Sequence, residues 1–89
     1  MEVIFTPHAQ EDRDYWKRTG NKRAMKRITD LLEDIKKHPF TGIGKPEPLK
    51  GEQHGLWSRR ITDEHRLVYS ISSGMIYVYV ISLRYHYTK

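Results

Sequence analysis

Cysteine is absent from the 89 residues. No disulfide can therefore staple the chain and no thiolate can hold zinc. A domain of this size buries only roughly 60–65% of its unfolded surface, so its stability must come from packing, capping and polar pairing. Lack of cysteine also suits a reducing cytoplasm. Long apolar runs are missing too. The longest, around Met75 to Leu83, falls far short of the ~20 residues of a membrane-spanning helix. The opening residues Met1-Glu2-Val3-Ile4-Phe5 have neither the basic nor the apolar region of a secretion signal. The chain is also without a Gly-rich nucleotide loop, a nucleophile motif and any His/Asp/Glu set at metal-ligand spacing. These absences predict one cytoplasmic domain over residues 1–89, with no membrane segment, cofactor or metal.

Acidic residues are the scarcer charge. Sixteen Lys and Arg stand against eleven Asp and Glu, a net charge of +5. The balance is mixed over residues 1–38, with nine bases and seven acids, and more basic over 39–89, with seven and four. A basic excess of this kind attracts polyanions or acidic partners, and salt screens the attraction.

Val3-Ile4-Phe5 reads as a short strand. Thr6 can cap a helix whose first turn holds Pro7, where the missing N–H costs nothing. That helix should run from Pro7 to about Thr19, anchored by Tyr15 and Trp16 and closed by Gly20. Asn21 can cap a second helix. There Ala24, Ile28, Leu31, Leu32 and Ile35 form one continuous apolar stripe. Lys36, Lys37 and His38 complement the negative end of its dipole, and Pro39 stops it. Residues 39–47 are too rich in Gly and Pro for regular structure, and a short strand fits around Pro48-Leu49-Lys50. The period then becomes two. Leu56–Ile61, Leu67–Ile71 and Ile76–Leu83 read as strands separated by Thr62-Asp63-Glu64-His65 and Ser72-Ser73-Gly74. The order is strand, two helices, then an antiparallel β meander: an α+β sandwich with helices on one sheet face. The other face should carry arginines and stay open, as an antiparallel sheet permits. Trp16, Trp57 and Tyr69 read as core residues. Tyr77 and Tyr79 share a face with Met75 and Ile81, which predicts at least one buried ring.

An open basic sheet face suits single-stranded nucleic acid, and RNA can be cut there without metal. The 2′-hydroxyl attacks the adjacent phosphorus and expels the 5′-oxygen. An enzyme must take the hydroxyl proton, stabilise the phosphorane charge and protonate the leaving group. Glu47 can serve as the base, because Pro46 and Pro48 restrict its backbone and Lys45 and Lys50 lie close by. Arg66 can grip phosphate with its fork, aided by Arg59 and Arg60 on the preceding strand. Alternation sends one of that pair to the opposite face, and a one-residue slip would exchange them. A histidine side chain ordinarily changes charge near neutrality, so His86 can donate a proton, and Tyr85 or Tyr87 can stack on a base or hold phosphate. Each residue taken alone also fits an ordinary surface position. His8, His38 and His54 read as surface residues, and His65 as part of its turn.

Four ordered segments carry a resemblance: Gly44-Lys45-Pro46-Glu47-Pro48-Leu49-Lys50, Gly55-Leu56-Trp57-Ser58-Arg59-Arg60-Ile61-Thr62, Glu64-His65-Arg66-Leu67-Val68-Tyr69 and Arg84-Tyr85-His86-Tyr87. They closely resemble the YoeB toxins, within the RelE superfamily of bacterial toxin–antitoxin systems. The likeness extends to Tyr15-Trp16 and Pro39-Phe40. It implies a small microbial-ribonuclease-like α+β fold and an mRNA interferase that cuts message in the ribosomal A site. By motif, it implies Glu47 as general base, His86 as general acid and Arg66 as transition-state clamp. Lys50, Arg60 and Tyr87 would position substrate or stabilise charge. It further implies a YefM-like antitoxin that covers the active site, a toxin homodimer, and binding of operator DNA only through the antitoxin complex. YoeB chains typically end at the tyrosine matching Tyr87, whereas this one continues through Thr88-Lys89.

A rival reading is a non-catalytic module that binds nucleic acid or antitoxin. It would use the same basic face but has no need of Glu47 and His86. A small metabolic enzyme is a poorer fit, since no cofactor motif is present.

Overall fold

The computed structural model describes residues 1–51 and 55–82. His54, Leu83, Arg84-Tyr85-His86-Tyr87 and Thr88-Lys89 lie outside the described residues. The elements are β1 (Glu2–Phe5), α1 (Pro7–Thr19), α2 (Lys22–Lys37), β2 (Glu47–Pro48), β3 (Trp57–Arg60), β4 (Arg66–Ser72) and β5 (Met75–Ser82). Both helices end where capping chemistry directs. Thr6 Oγ1 accepts from the Ala9 N–H at 3.2 Å, and Asn21 Oδ1 from the Ala24 N–H at 3.0 Å. Gly20 adopts a left-handed φ of 69° at the end of α1.

One five-stranded sheet has the order β1-β5-β4-β3-β2. The β2 to β5 segment is the expected antiparallel meander. β1 adds a parallel pairing to β5, so the sheet is mixed. Ser73 and Gly74, with φ of 52° and 74°, form the two-residue connection between β4 and β5. Positive φ at both positions matches the twist of a tight hairpin.

The helices cover one face. Trp16, Ala24, Ile28, Leu31 and Ile35 pack there against Leu67, Tyr69, Ile76, Val78 and Ile81. Burying a side chain such as Leu31 or Ile35 stabilises the fold by about 1.5–3 kcal/mol. Trp57 is only half-buried at the margin of this core, with its ring 4.8 Å from that of Phe40. Among the described residues no helix is long and apolar enough to cross a membrane.

Strict alternation fails in β5. Val68 pairs with Val80 while Tyr69 pairs with Val78, so Tyr79 is an extra residue in a bulge. The bulge moves Ile81 to the helix side with Ile76 and Val78. Tyr79 packs instead on the opposite face, near Leu49, Val68 and Leu56. The expected grouping of Tyr77 and Tyr79 with Ile81 is therefore wrong, and both rings are only half-buried. The bulge falls where β1 runs out, since its last paired residue, Phe5, meets Val78. Beyond that point α1 satisfies the strand edge. Asp12 accepts from the Ile81 N–H at 2.9 Å, and the Trp16 indole donates to the Ile81 carbonyl at 2.9 Å.

Candidate active site

The ladder settles which arginine faces where. Arg60 pairs with Arg66, and Ser58 pairs with both Glu47 and Val68. Directly opposed residues share a sheet face, so Glu47, Ser58, Arg60 and Arg66 all belong to the face without helices. Glu47 lies in the edge strand β2 rather than in a loop, and it is exposed. Pro48, which has no N–H to give, is tolerated because β2 is an edge. Two strand spacings and two residues of rise separate the Glu47 and Arg66 backbones by about 12 Å, a gap that two long side chains and a bound phosphate can span.

Arg66 is half-buried and anchored at one end. Its Nη1 donates to the carbonyls of Thr62, Asp63 and His65 at 3.1, 3.0 and 3.1 Å. These bonds hold the guanidinium over the β3–β4 turn and fix its direction. Arg60 is half-buried beside it, and the Arg60 N–H donates to the Gly44 carbonyl at 2.7 Å. Lys50 is exposed beyond the β2–β3 pairing, which therefore does not set its side. His86 and Tyr87 lie outside the described residues. The last described residue, Ser82, pairs with Arg66.

The face is not purely basic. Leu49 and Val68 are buried on it, with Leu56 and Tyr79 packed against them. This apolar patch braces the segment after Glu47, and the Leu49 N–H donates to the Leu56 carbonyl at 2.9 Å. His65 does more than shape its turn. Its ring is buried 4.4 Å from that of Trp16, edge to face, while the His65 backbone N–H donates to Thr62 Oγ1 at 3.1 Å.

Arg59 does not join the open face. It is fully buried on the helix side. Its Nη1 pairs with the Asp34 carboxylate and donates to the Ile43 carbonyl at 3.1 Å. Nη2 donates to the His38 carbonyl and, at 2.6 Å, to that of Thr41. Nε donates to the Tyr69 hydroxyl at 3.2 Å, which donates onward to the Pro39 carbonyl at 2.6 Å. All five guanidinium donors are thus engaged, which offsets the several kcal/mol needed to bury the charge. The Arg59 hydrogen bond holds the Asp34 carboxyl below its ordinary range, against the opposing effect of burial. Burial pushes the Tyr69 hydroxyl up, with Arg59 opposing. The network ties residues 38–43 to α2 and β3 and so sets where the chain enters β2 and Glu47. One signal in the sequence points to it. Asp34 lies three residues after Leu31, near the negative end of the α2 dipole, where a carboxylate needs a cation.

Gly44 shows how closely that segment is packed. Its φ is 81°, and a Cβ there would sit 2.7 Å from Leu31 Cδ2 and 3.2 Å from Arg59 Cβ. Only glycine fits without displacing its neighbours.

Residues 5–87 match the family model of the YoeB-like toxin of bacterial type II toxin–antitoxin systems. The chain belongs to the YoeB toxin family. Toxin YoeB of Mycobacterium bovis is 53% identical over 85 residues, covering 96% of each chain. In three dimensions the YoeB/ParE toxin from Agrobacterium tumefaciens superposes with a TM-score of 0.90 at 45% identity, covering 96% of this chain and 100% of that one. YoeB of Staphylococcus aureus, solved as a dimer and in a heterotetrameric YoeB–YefM complex, gives a TM-score of 0.87 at 40% identity, with 98% of each chain covered. The YoeB fold places the open sheet face of this chain in a toxin of known α+β architecture.

Proposed function

We propose that this YoeB-family toxin is a ribosome-dependent mRNA interferase, cutting message in the A site and so stopping translation in the cytoplasm. The observation that carries the reading is the register that brings Glu47, Arg60 and Arg66 to one open face. Glu47 takes the proton from the 2′-hydroxyl. Arg66, held by turn carbonyls, meets the charge that grows on the phosphorane, with Arg60 and Lys50 adding positive potential. His86, four residues after Ser82, returns a proton to the 5′-oxygen, and Tyr87 holds the phosphate or an adjacent base. The P–O bond to the 2′-oxygen forms as the P–O bond to the 5′-oxygen breaks, leaving a 2′,3′-cyclic phosphate. These groups complete the step without a metal.

The Staphylococcus aureus complex supports an antitoxin partner of the YefM kind for this chain, and the dimer supports a toxin homodimer. The antitoxin would cover the open face, and operator DNA would be met only through that complex.

Inducing the protein without antitoxin in a translating extract, and mapping RNA 5′ ends with and without ribosomes, tests the reading. Cuts confined to translated codons are expected, and they should vanish in Glu47→Ala. Intact message would overturn the reading in favour of a binding module.

A further inference from the structure

Beyond the end of β3 the open face continues into a groove of about 440 Å³, lined by Arg27, Gly44, Lys45, Arg60, Ile61, Thr62 and Asp63. Arg27 comes from α2, Lys45 from the segment entering β2, and Arg60 from β3. Three bases therefore converge from three separate parts of the chain, against one carboxylate at Asp63. Among the described residues none of the three bases takes part in an ion pair. By contrast, Lys26 and Lys36 elsewhere on α2 each pair with a carboxylate.

The groove is held in place. Lys45 has a left-handed φ of 51°, uncommon for a residue with a side chain. It follows Gly44, whose carbonyl accepts the Arg60 N–H and where any Cβ would meet Leu31 and Arg59. The Arg59 network thus fixes the backbone that presents Lys45 beside Arg60. Arg60 lines the groove and also pairs with Arg66 on the open face, so the two regions form one continuous basic path around the sheet edge.

We propose that this groove holds a second backbone phosphate of the same RNA strand, flanking the phosphate gripped at Arg66. The assignment rests on the ribonuclease reading and extends it. Arg27 and Lys45 give the strand a direction, from the open face around the edge beside β2 toward α2. Among the described residues the groove offers cations and no aromatic platform, so it recognises the backbone and carries no sequence preference.

The test is fluorescence-anisotropy titration of the full chain with a short single-stranded 2′-O-methyl RNA, which cannot undergo 2′-attack, across a range of salt concentrations. Each phosphate contact contributes about 0.7 to the slope of log affinity against log salt for single strands. Arg27→Ala and Lys45→Ala should each lower the slope by about that amount and weaken binding equally across RNA sequences. Lys37→Ala, an exposed lysine on α2 away from the groove, removes the same charge and should change the slope by less than half as much. Circular dichroism melts confirm that each variant is folded. Unchanged slopes in both groove variants, equal losses in Lys37→Ala, or no salt-dependent binding by the parent chain would each overturn the groove assignment. An effect seen only in binding to whole ribosomes would likewise overturn it, by assigning the groove to ribosomal RNA. The ribonuclease reading stands or falls separately, on the cleavage map with Glu47→Ala.

Discussion

Arg59 and Arg60 are neighbours in sequence and opposites in every physical respect. Arg59 lies under the helices, fully buried, with all five donors committed to Asp34, Tyr69 and loop carbonyls. Arg60 lies on the open face beside Arg66, half-exposed, its charge unpaired by any carboxylate among the described residues. One guanidinium is spent on architecture and the other is available to a ligand. The same contrast separates the two faces of the sheet. The helix face concentrates packing and closed polar networks. The open face keeps Glu47, Arg60 and Arg66 within reach of solvent. A ligand face must hold some polar capacity in reserve, and a small domain can do that only if its stability comes from elsewhere.

The sharpest way to break this contrast is Glu47→Ala. Loss of a general base should lower ribosome-dependent cleavage by about 10²–10⁴-fold, measured by primer extension on translated message. The melting temperature should hardly change, because Glu47 is exposed on a two-residue edge strand. A large loss of stability with cleavage preserved would invert the assignment. Arg59→Ala should do the reverse, destabilising by about 3–5 kcal/mol because it strands Asp34 and leaves carbonyls unsatisfied. Urea denaturation at neutral pH measures this. Arg60→Ala in the same assay should stay within about 0.5 kcal/mol of the parent while weakening RNA binding. Gly44→Ala is intermediate. The left-handed backbone and the contact with Leu31 should cost about 1–3 kcal/mol.

The smallest effect concerns acid. The Asp34 carboxyl is held below its ordinary value of 3.8 when the chain is folded. Its contribution is thus fully present above that value and is lost as pH falls through the lower folded value. Stability measured by urea midpoint should therefore decline below about pH 4, and Asp34→Asn should flatten the decline attributable to this pair. An unchanged pH profile in that variant would show that other carboxylates govern acid unfolding.

Much of the fold is legible in the residues. Thr6-Pro7, Gly20, Asn21 and Pro39 mark both helices, because capping and ring constraints act within a turn of chain. The stripe from Ala24 to Ile35 identifies the buried side of α2. The motif around Glu47, Arg60 and Arg66 is equally plain by its likeness to YoeB toxins. The assembled site was less legible. Arg59 and Arg60 look interchangeable on paper, and the alternation in β5 predicts the wrong face for Ile81. The bulge at Tyr79 coincides with the end of β1 and with the bonds of Asp12 and Trp16 to Ile81, all distant in sequence. Nothing in the sequence marks Arg27 as a groove residue, since it is one of several bases on a helix.

The sequence by itself determined the element types, the helix ends, the basic balance and the family. Each depends on chemistry local to a few residues or on an ordered motif. Only the tertiary structure decided which arginine is buried, which face Ile81 takes, and that Lys45 and Arg27 meet beside Arg60. Strand alternation is a relative pattern with two possible phases. Ladder register, a bulge and the packing of α2 select between them, and those are properties of residues brought together from far along the chain.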